Sequence, residues 1–388
     1  MDAHGEICRA IDTYRHQAVA LSHEIHEHPE LKFQEHFAAG LLTKAATELG
    51  LEVEREAGGL KTAFRAEFGA SGPAVAILAE YDALPNGHSC GHNLIAGAAL
   101  SAVAGLKSIA SQLPGRVVFL GTPAEEGGGG KIILIDKGAL RGVDAAMMAH
   151  PTDAEFCTMP ALATLHLKLT FHGRGAHAAM APWNGSSALA AVIQTFQSVD
   201  AMRLHLRDGS RLHGIITDGG RAVNIIPERT ECLFLARARS SRYANEIGAR
   251  VIRCAEGAAM ATGTRVEHVI EGGYKNMINN LSMAHRYAAH SEALGAKSVE
   301  APADTPTGST DMGDVSHVMP AIHPSFAISR HGEGNCHEDA FVAHADSERG
   351  YDAMIRVAKA MAMTAYDLLA QPELLASAKK EFEARKES

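Results

Sequence analysis

Cys90 and His92, separated by one glycine, and the adjacent carboxylates Glu125 and Glu126 are the residues of this sequence best suited to chemistry. A glycine between two donors lets the backbone turn so that thiolate and imidazole face one point. Sulfur and nitrogen donors suit Zn, Mn, Co or Ni better than Ca or Mg. Neighbouring carboxylates diverge in extended backbone, so one can ligate an ion while the other stands over a water. That is the division of labour in metal-assisted hydrolysis, with one ligand and one general base. Three further segments carry donors of the same kind. They are Ala79-Glu80-Tyr81-Asp82-Ala83-Leu84-Pro85, His150 at the end of Ala145–Ala149, and Gly334-Asn335-Cys336-His337-Glu338-Asp339-Ala340-Phe341.

Each segment taken singly also has a plain reading. Glu125-Glu126 before four glycines suits a solvated acidic loop, and His150 suits a satisfied histidine at a strand end. Their common placement argues otherwise. Most of them follow a predicted strand, where open α/β sheets gather their ligands.

The elements that must position these groups alternate. Helical periodicity runs from about residue 6 to 50 and is interrupted at His28-Pro29, because the residue before proline avoids the α region. Ala74–Ala79, Arg116–Leu120 and Ala145–Ala149 read as buried strands, with helices predicted at Leu94–Leu113 and Ile132–Lys137. Strand and helix in alternation mean an α/β class, a central sheet covered by helices on both faces.

The pattern changes near residue 162, where Leu162–Phe171 alternates with period two, as a half-exposed antiparallel strand does. This strand is an edge candidate. A helix at Ser186–Arg203, strands at Gly214–Asp218 and Glu231–Arg239, a helix at Ala244–Thr262 and a strand at Arg265–Ile270 complete a β-α-β-β-α-β run. It predicts an inserted α+β domain over 162–272, with a four-stranded antiparallel sheet and two helices. The α/β pattern then resumes with a helix near Ser282–Leu294, a strand at Ser325–Ser329 and a C-terminal helix from about Ser347 to Leu369. The plain reading is two sequential domains, but residues 1–161 and 273–388 carry complementary pieces of one site, so one domain interrupted by an insertion is expected.

The chain has 388 residues, 46% apolar and 21% charged, with a formal net charge of -9. That composition is globular, and with no basic block it argues against nucleic acid or an anionic membrane as partner. No apolar window is long enough to span a bilayer, and the first residues lack the pattern of a signal peptide. A cytoplasmic location is expected, with the six scattered cysteines reduced and one or two of them available as ligands.

Together, Glu80-Tyr81-Asp82-Ala83-Leu84-Pro85, His88-Ser89-Cys90-Gly91-His92-Asn93 and Pro123-Ala124-Glu125-Glu126-Gly127-Gly128-Gly129 resemble the aminoacylase and carboxypeptidase family of cocatalytic metallopeptidases. The Cys-Gly-His form is similar to its amidohydrolase branch, which includes auxin-conjugate, hippurate and aminobenzoyl-glutamate hydrolases. Glu80-Tyr81-Asp82 with His92-Asn93 is similar to the dipeptidase-like members of that branch. The resemblance implies two divalent ions, Zn or Mn first and Co or Ni as alternatives, held by Cys90, His92, Glu126, His150 and His337. It implies Glu125 as general base and Asp82 as the residue that orients a ligand. Other branches use a metal histidine at the position of Glu80.

Phe171-His172-Gly173-Arg174-Gly175-Ala176-His177 resembles the family's lid motif, which implies that His177 polarises the scissile carbonyl, often from a neighbouring subunit. Gly219–Pro227 resembles the strand that brings Asn224 toward substrate. Arg237 is a candidate clamp for a substrate carboxylate. Gly308–Gly313 resembles a pocket loop, with Ser309 counted on the substrate side, although Ser309 and Asp311 suit backbone capping better than direct chemistry. The expected activity is hydrolysis of the amide bond of an N-acyl or N-aminoacyl amino acid by a homodimer joined through the inserted domain. A dipeptidase, a C–N hydrolase releasing an amine from an aromatic ring or amidine, and a catalytically silent binding relative are the alternatives. Retention of both Glu125 and Glu126 speaks against the last.

Overall fold

The computed structural model describes residues 2–386. In chain order it begins with helices α1 (Ala3–Glu27) and α2 (His36–Glu48), then strands β1 (Val53–Arg55), β2 (Phe64–Gly69) and β3 (Ala74–Ala79). Helix α3 (His92–Ser108), strand β4 (Arg116–Gly121), helix α4 (Gly130–Asp136) and the short strands β5 (Ala145–Met147), β6 (His150–Thr152) and β7 (Phe156–Thr158) follow. Next come β8 (Ala163–His172), β9 (Ala176–His177), α5 (Ala188–Arg203), β10 (Arg211–Asp218), β11 (Ile225–Ile226), β12 (Arg229–Ala238), α6 (Ser241–Thr262) and β13 (Arg265–Gly272). The chain closes with α7 (Leu281–Ala293), β14 (Val299–Glu300), α8 (Met312–Ser316), β15 (Ala321–Ile322), β16 (Ser325–Ala327), α9 (Asp339–Ala345), α10 (Glu348–Ala370) and α11 (Pro372–Lys386).

Two compact units result. The first holds the chain up to Pro160, Met277–Pro306 and the residues from Thr310 onward; the second holds Ala161–Asn276 and Thr307–Ser309. The second unit therefore runs a few residues past 272 and takes in a short piece of the later chain.

In the first unit a six-stranded sheet has the order β1-β2-β4-β3-β5-β15. Strands β4, β3, β5 and β15 are parallel neighbours, while β2 pairs antiparallel with β4. Every residue of β3 is buried, which requires cover on both faces and explains its unbroken apolar run. Helix α3 is buried from His92 to Leu106 and packs against α1 and α10. A helix apolar on all sides belongs in the centre of a layer. A smaller sheet, β14-β7-β16-β6, pairs Ser325 with His150. The strand expected at Ser325–Ser329 is thus shorter and lies in this second sheet.

In the second unit the antiparallel sheet has the order β10-β12-β8-β13. Leu165, Leu167, Leu169 and Phe171 of β8 are buried in one core with Ile247 and Val251 of α6. The reading of Leu162–Phe171 as an edge is corrected here, because β8 pairs with β12 on one side and β13 on the other. Half-exposure comes from one open sheet face, which a sequence pattern cannot tell from an open edge. The edges are β10 and β13, and seven of the eight residues of β13 are exposed.

Candidate metal centre

The parallel arrangement of β4, β3 and β5 brings their carboxyl ends to one edge of the main sheet. Glu80 follows β3, Thr122-Pro123-Ala124-Glu125-Glu126 follows β4, and His150 lies just beyond β5. This is where an open α/β sheet collects ligands. Gly91 caps α3 in the left-handed region (φ 67°), and a Cβ there would lie 2.7 Å from Pro151 Cγ. Only glycine fits both demands, and the turn it makes presents Cys90 and His92 together.

The donor atoms form three overlapping groups: Cys90, His92 and Glu126; Glu80, His92 and His150; and Cys90, His150 and Cys336. Within each group the candidate ligand atoms lie within 4.8 Å of one another. Glu80 Oε1, His92 Nε2 and Glu126 Oε1 are buried with no hydrogen-bond partner. Each such orphan costs about 1–3 kcal/mol unless something satisfies it. Sulfur, nitrogen and carboxylate donors with unspent lone pairs facing one another suit a divalent transition metal. The residues therefore fit the ions that the motifs imply.

The surrounding contacts orient these donors. His92 Nδ1 is 3.2 Å from Asp82 Oδ1, so Nδ1 donates and Nε2 is left as the ligating atom. The other oxygen of Asp82 accepts from the Glu126 backbone N–H at 2.9 Å, which ties the two ligand segments together. His150 Nδ1 donates to the Pro151 carbonyl at 2.8 Å, again leaving Nε2 available. Glu35, buried, accepts from the backbone N–H of Ala124 at 2.9 Å and from the Thr62 hydroxyl at 2.7 Å. It thereby holds Ala124 in the left-handed region (φ 61°), a strained conformation for a residue with a Cβ, immediately before Glu125-Glu126. Gly130 permits the same turn, since a Cβ there would come within 1.8 Å of the Pro123 carbonyl oxygen.

The charged groups of this site act strongly on one another. Burial alone would raise the Glu80 carboxyl, but Lys131 and His92 outweigh it and leave Glu80 lowered. Burial would likewise lower His92, and Glu80 with Asp82 reverses that. Glu125 is raised well above the usual carboxylate range, first by burial and then by Glu80, Asp311 and Glu126. A carboxylate with heightened proton affinity is matched to general-base work. A hydrogen bond from Cys90 is the main cause that lowers the Cys336 thiol, with His150 adding to it. His323 and His88 are pushed down to about 3, chiefly by burial, and are neutral.

His337, expected as a ligand, stands outside all three donor groups; its Nε2 lies 3.6 Å from Glu126 Oε1 and its side chain is 64% exposed. Asp311, read as a backbone cap, does accept from the Lys131 N–H at 2.9 Å, but its other oxygen pairs with Lys131 Nζ at 2.7 Å. In the second unit, His177 on β9 pairs with Ile225 on β11, and the Asn224 carbonyl accepts from the Ala178 N–H at 3.0 Å. Arg237 Nη1 donates to Ser309 Oγ at 3.0 Å, which joins two of the expected substrate residues. Sequence reasoning placed Cys336 in a donor-bearing segment but took His337 as its ligand, and it missed Lys131 and Glu35. A lysine after four glycines was the one local signal for Lys131, and nothing local marks Glu35.

Among the described residues, His4, His290 and Asp367 and also His23, Glu27 and Asp346 form two further donor groups. In both, the histidines already pair with the carboxylate, and Arg286 adds a cation beside Asp367. These are ion-pair clamps between helices.

A profile of Peptidase family M20/M25/M40 matches residues 76–360. The Xaa-Arg dipeptidase of Mus musculus is 39% identical over 398 residues, covering 97% of this chain and 91% of that protein. A p-aminobenzoyl-glutamate hydrolase chain of Escherichia coli is 36% identical, covering 66% of this chain and 58% of that one. Among solved structures, the YXEP protein of Bacillus subtilis, described as a dinuclear metal binding peptidase, superposes with a TM-score of 0.73 at 20% identity. That match covers 92% of this chain and 99% of the other and shows a shared fold.

Proposed function

This chain belongs to peptidase family M20/M25/M40, and from that premise we propose that it is a dipeptidase-type amide hydrolase using two divalent ions. The observation that carries the reading is the buried donor cluster in which Glu80 Oε1, His92 Nε2 and Glu126 Oε1 make no hydrogen bond, with Glu125 next to Glu126 in the chain. Cys90, His92, Glu126, His150 and His337 would hold the ions, with Zn or Mn first and Co or Ni as alternatives. Bound there, the ions would supply Lewis acidity and lower the pKa of the attacking water.

The chain's own residues do the rest. Glu125 takes the proton of the attacking water and passes it to the leaving amine. Asp82 holds the His92 ring with Nε2 free and fixes the Glu126 backbone. His177 Nδ1 accepts from the backbone N–H groups of Ala179 and Met180, both at 3.2 Å, so the ring proton sits on Nε2. An exposed Nε2–H donor suits a developing oxyanion, a contact worth about 3–4 kcal/mol. Arg237, braced by Ser309, and Asn224 would bind the substrate's carboxylate and backbone.

Exposed Val269 and Ile270 on the β13 edge support a homodimer formed through the second unit, since open edges are normally covered. None of the described helices is long and apolar enough to cross a membrane. The cysteines are free, which supports a reducing cytoplasm.

Likeness to an Xaa-Arg dipeptidase over nearly the whole chain makes dipeptides with a basic C-terminal residue the first substrate class. The test is a hydrolysis panel on protein loaded with Zn, Mn or Co. Aminoacyl-arginine and aminoacyl-lysine are compared with N-acetyl, N-benzoyl, indole-acetyl and β-alanyl amino acids. Faster release from the basic dipeptides supports the reading. Preference for N-acyl substrates would move the protein to the amidohydrolase side of the family, and no turnover with any metal would refute hydrolysis.

A further inference from the structure

We propose that Cys336 is a second thiolate ligand of the metal centre, forming with Cys90 and His150 a sulfur-rich site that favours zinc over manganese. The inference rests on the metal-centre reading above and concerns a residue outside the expected ligand set.

Geometry is the first argument. The Cys90, His150 and Cys336 ligand atoms lie within 4.8 Å of one another. With Zn–S bonds of about 2.3 Å, two thiolates on one tetrahedral ion stand about 3.8 Å apart, a separation inside that limit. His150 already has its Nδ1–H committed to the Pro151 carbonyl. That contact is the outer hydrogen bond that fixes the ring of a metal-bound histidine.

The second argument is that the fold delivers Cys336 deliberately. Asn335 Oδ1 accepts from the Cys336 N–H at 2.8 Å, while Asn335 Nδ2 donates to Asp153 Oδ1 at 3.1 Å. The His337 N–H donates to the Ser89 carbonyl at 2.9 Å, joining this loop to the Cys90 segment. His337 itself adopts φ 73°, the left-handed region that a residue with a Cβ enters at a cost. The result is that Cys336 turns inward and His337 outward. Of these two neighbours in the chain, the one among the donor atoms is the cysteine.

Packing alone is the competing explanation, since Cys336 also touches the edge of the apolar core. A packing cysteine sets its sulfur against carbon. Here Sγ approaches the Pro151 carbonyl at 3.5 Å and lies within 4.8 Å of the Cys90 and His150 ligand atoms. Two thiolates on one ion shift selectivity toward soft and borderline metals and away from manganese.

Cobalt reports the number of thiolates directly. Protein stripped with a chelator is reloaded with Co(II), and the near-ultraviolet thiolate-to-cobalt charge-transfer band is measured. Cys336→Ser and Cys90→Ser should each lower the band to about half, and the double variant should abolish it. Zinc affinity of Cys336→Ser, measured by competition with a chromophoric chelator, should fall at least about tenfold, and manganese affinity far less. A variant-free check is thiol titration of the wild-type protein, in which zinc should protect two more thiols than the stripped protein does.

A full band and unchanged zinc affinity in Cys336→Ser, with only one thiol protected, would make Cys336 a packing residue and leave the metal centre standing. A wild-type protein that takes up no cobalt would overturn the metal centre and this inference together.

Discussion

Lys131 Nζ lies 2.6 Å from Glu80 Oε2, with both side chains wholly removed from solvent. The same ammonium pairs with Asp311 Oδ1 at 2.7 Å. Glu80 Oε1 in turn stands 3.3 Å from His92 Nε2, so this buried cation holds a carboxylate against a candidate ligand. Lys131→Met would strand two buried carboxylates, and removing one partner of such a cluster costs about 3–5 kcal/mol. Urea unfolding of the two proteins measures the loss. Adding Glu80→Gln should recover part of it, and a Lys131→Met protein as stable as wild type would show that the network does not hold the site.

Glu125 and Glu126 should separate cleanly. Glu125→Gln should keep its metal content and lose about 10²–10⁴-fold in kcat, the range for a general base. Glu126→Gln should lose metal as well, as read by elemental analysis after gel filtration. Reversed behaviour would exchange the two roles.

Asp82 touches no metal in this reading but positions both His92 and the Glu126 backbone. Asp82→Ala should therefore weaken metal binding by about 10–100-fold while the protein remains folded. Chelator competition gives the affinity and circular dichroism the fold. Undiminished affinity would remove the positioning role.

Asp367 joins three helices: it accepts from His4 on α1 and His290 on α7 at 2.8 Å each, and sits itself on α10. Burial would raise its carboxyl, but hydrogen bonds from His290 and His4 outweigh this and hold it below its ordinary value. A lowered carboxylate contributes stability that is fully present above the unfolded pKa, about 3.9, and is lost as pH falls through the folded one. Asp367→Asn should be less stable than wild type at pH 7, with the gap narrowing below about pH 4. Denaturant melts across that range decide it, and a gap that widens in acid would contradict the sign.

The proposal that His177 serves the partner's site makes the dimer testable. His177→Ala and Glu125→Gln should each be nearly inactive alone. Co-expressed with different tags, they assort into about half heterodimers, each with one site carrying both defects and one carrying neither. Activity should return to roughly a quarter of wild type per site on this two-site counting. No recovery, with heterodimers shown by tandem pull-down, would mean that each subunit uses its own His177.

The α/β class, the positions of β3, β4, α3, α5, α6 and α10 and the motifs at Cys90-Gly-His92 and Glu125-Glu126 were legible because they depend on near neighbours. Apolar periodicity reports burial of a local face, and a two-residue spacing fixes which donors can converge. The short strands β1, β14 and β15 were not legible, since two or three residues carry no period. Nor was the interior place of β8, because strand order is set by partners far away in the chain.

The sequence by itself determined the chemistry available: thiolate, imidazole and paired carboxylates at the ends of buried parallel strands. Tertiary structure alone decided which distant groups meet them. It set Lys131 against Glu80, Glu35 beneath Ala124, and Cys336 beside Cys90 with His337 turned outward. Local spacing constrains only what the backbone geometry of a few residues can reach. The meeting of a late loop with an early helix depends on how the whole sheet and its connections close, and no short pattern encodes that path.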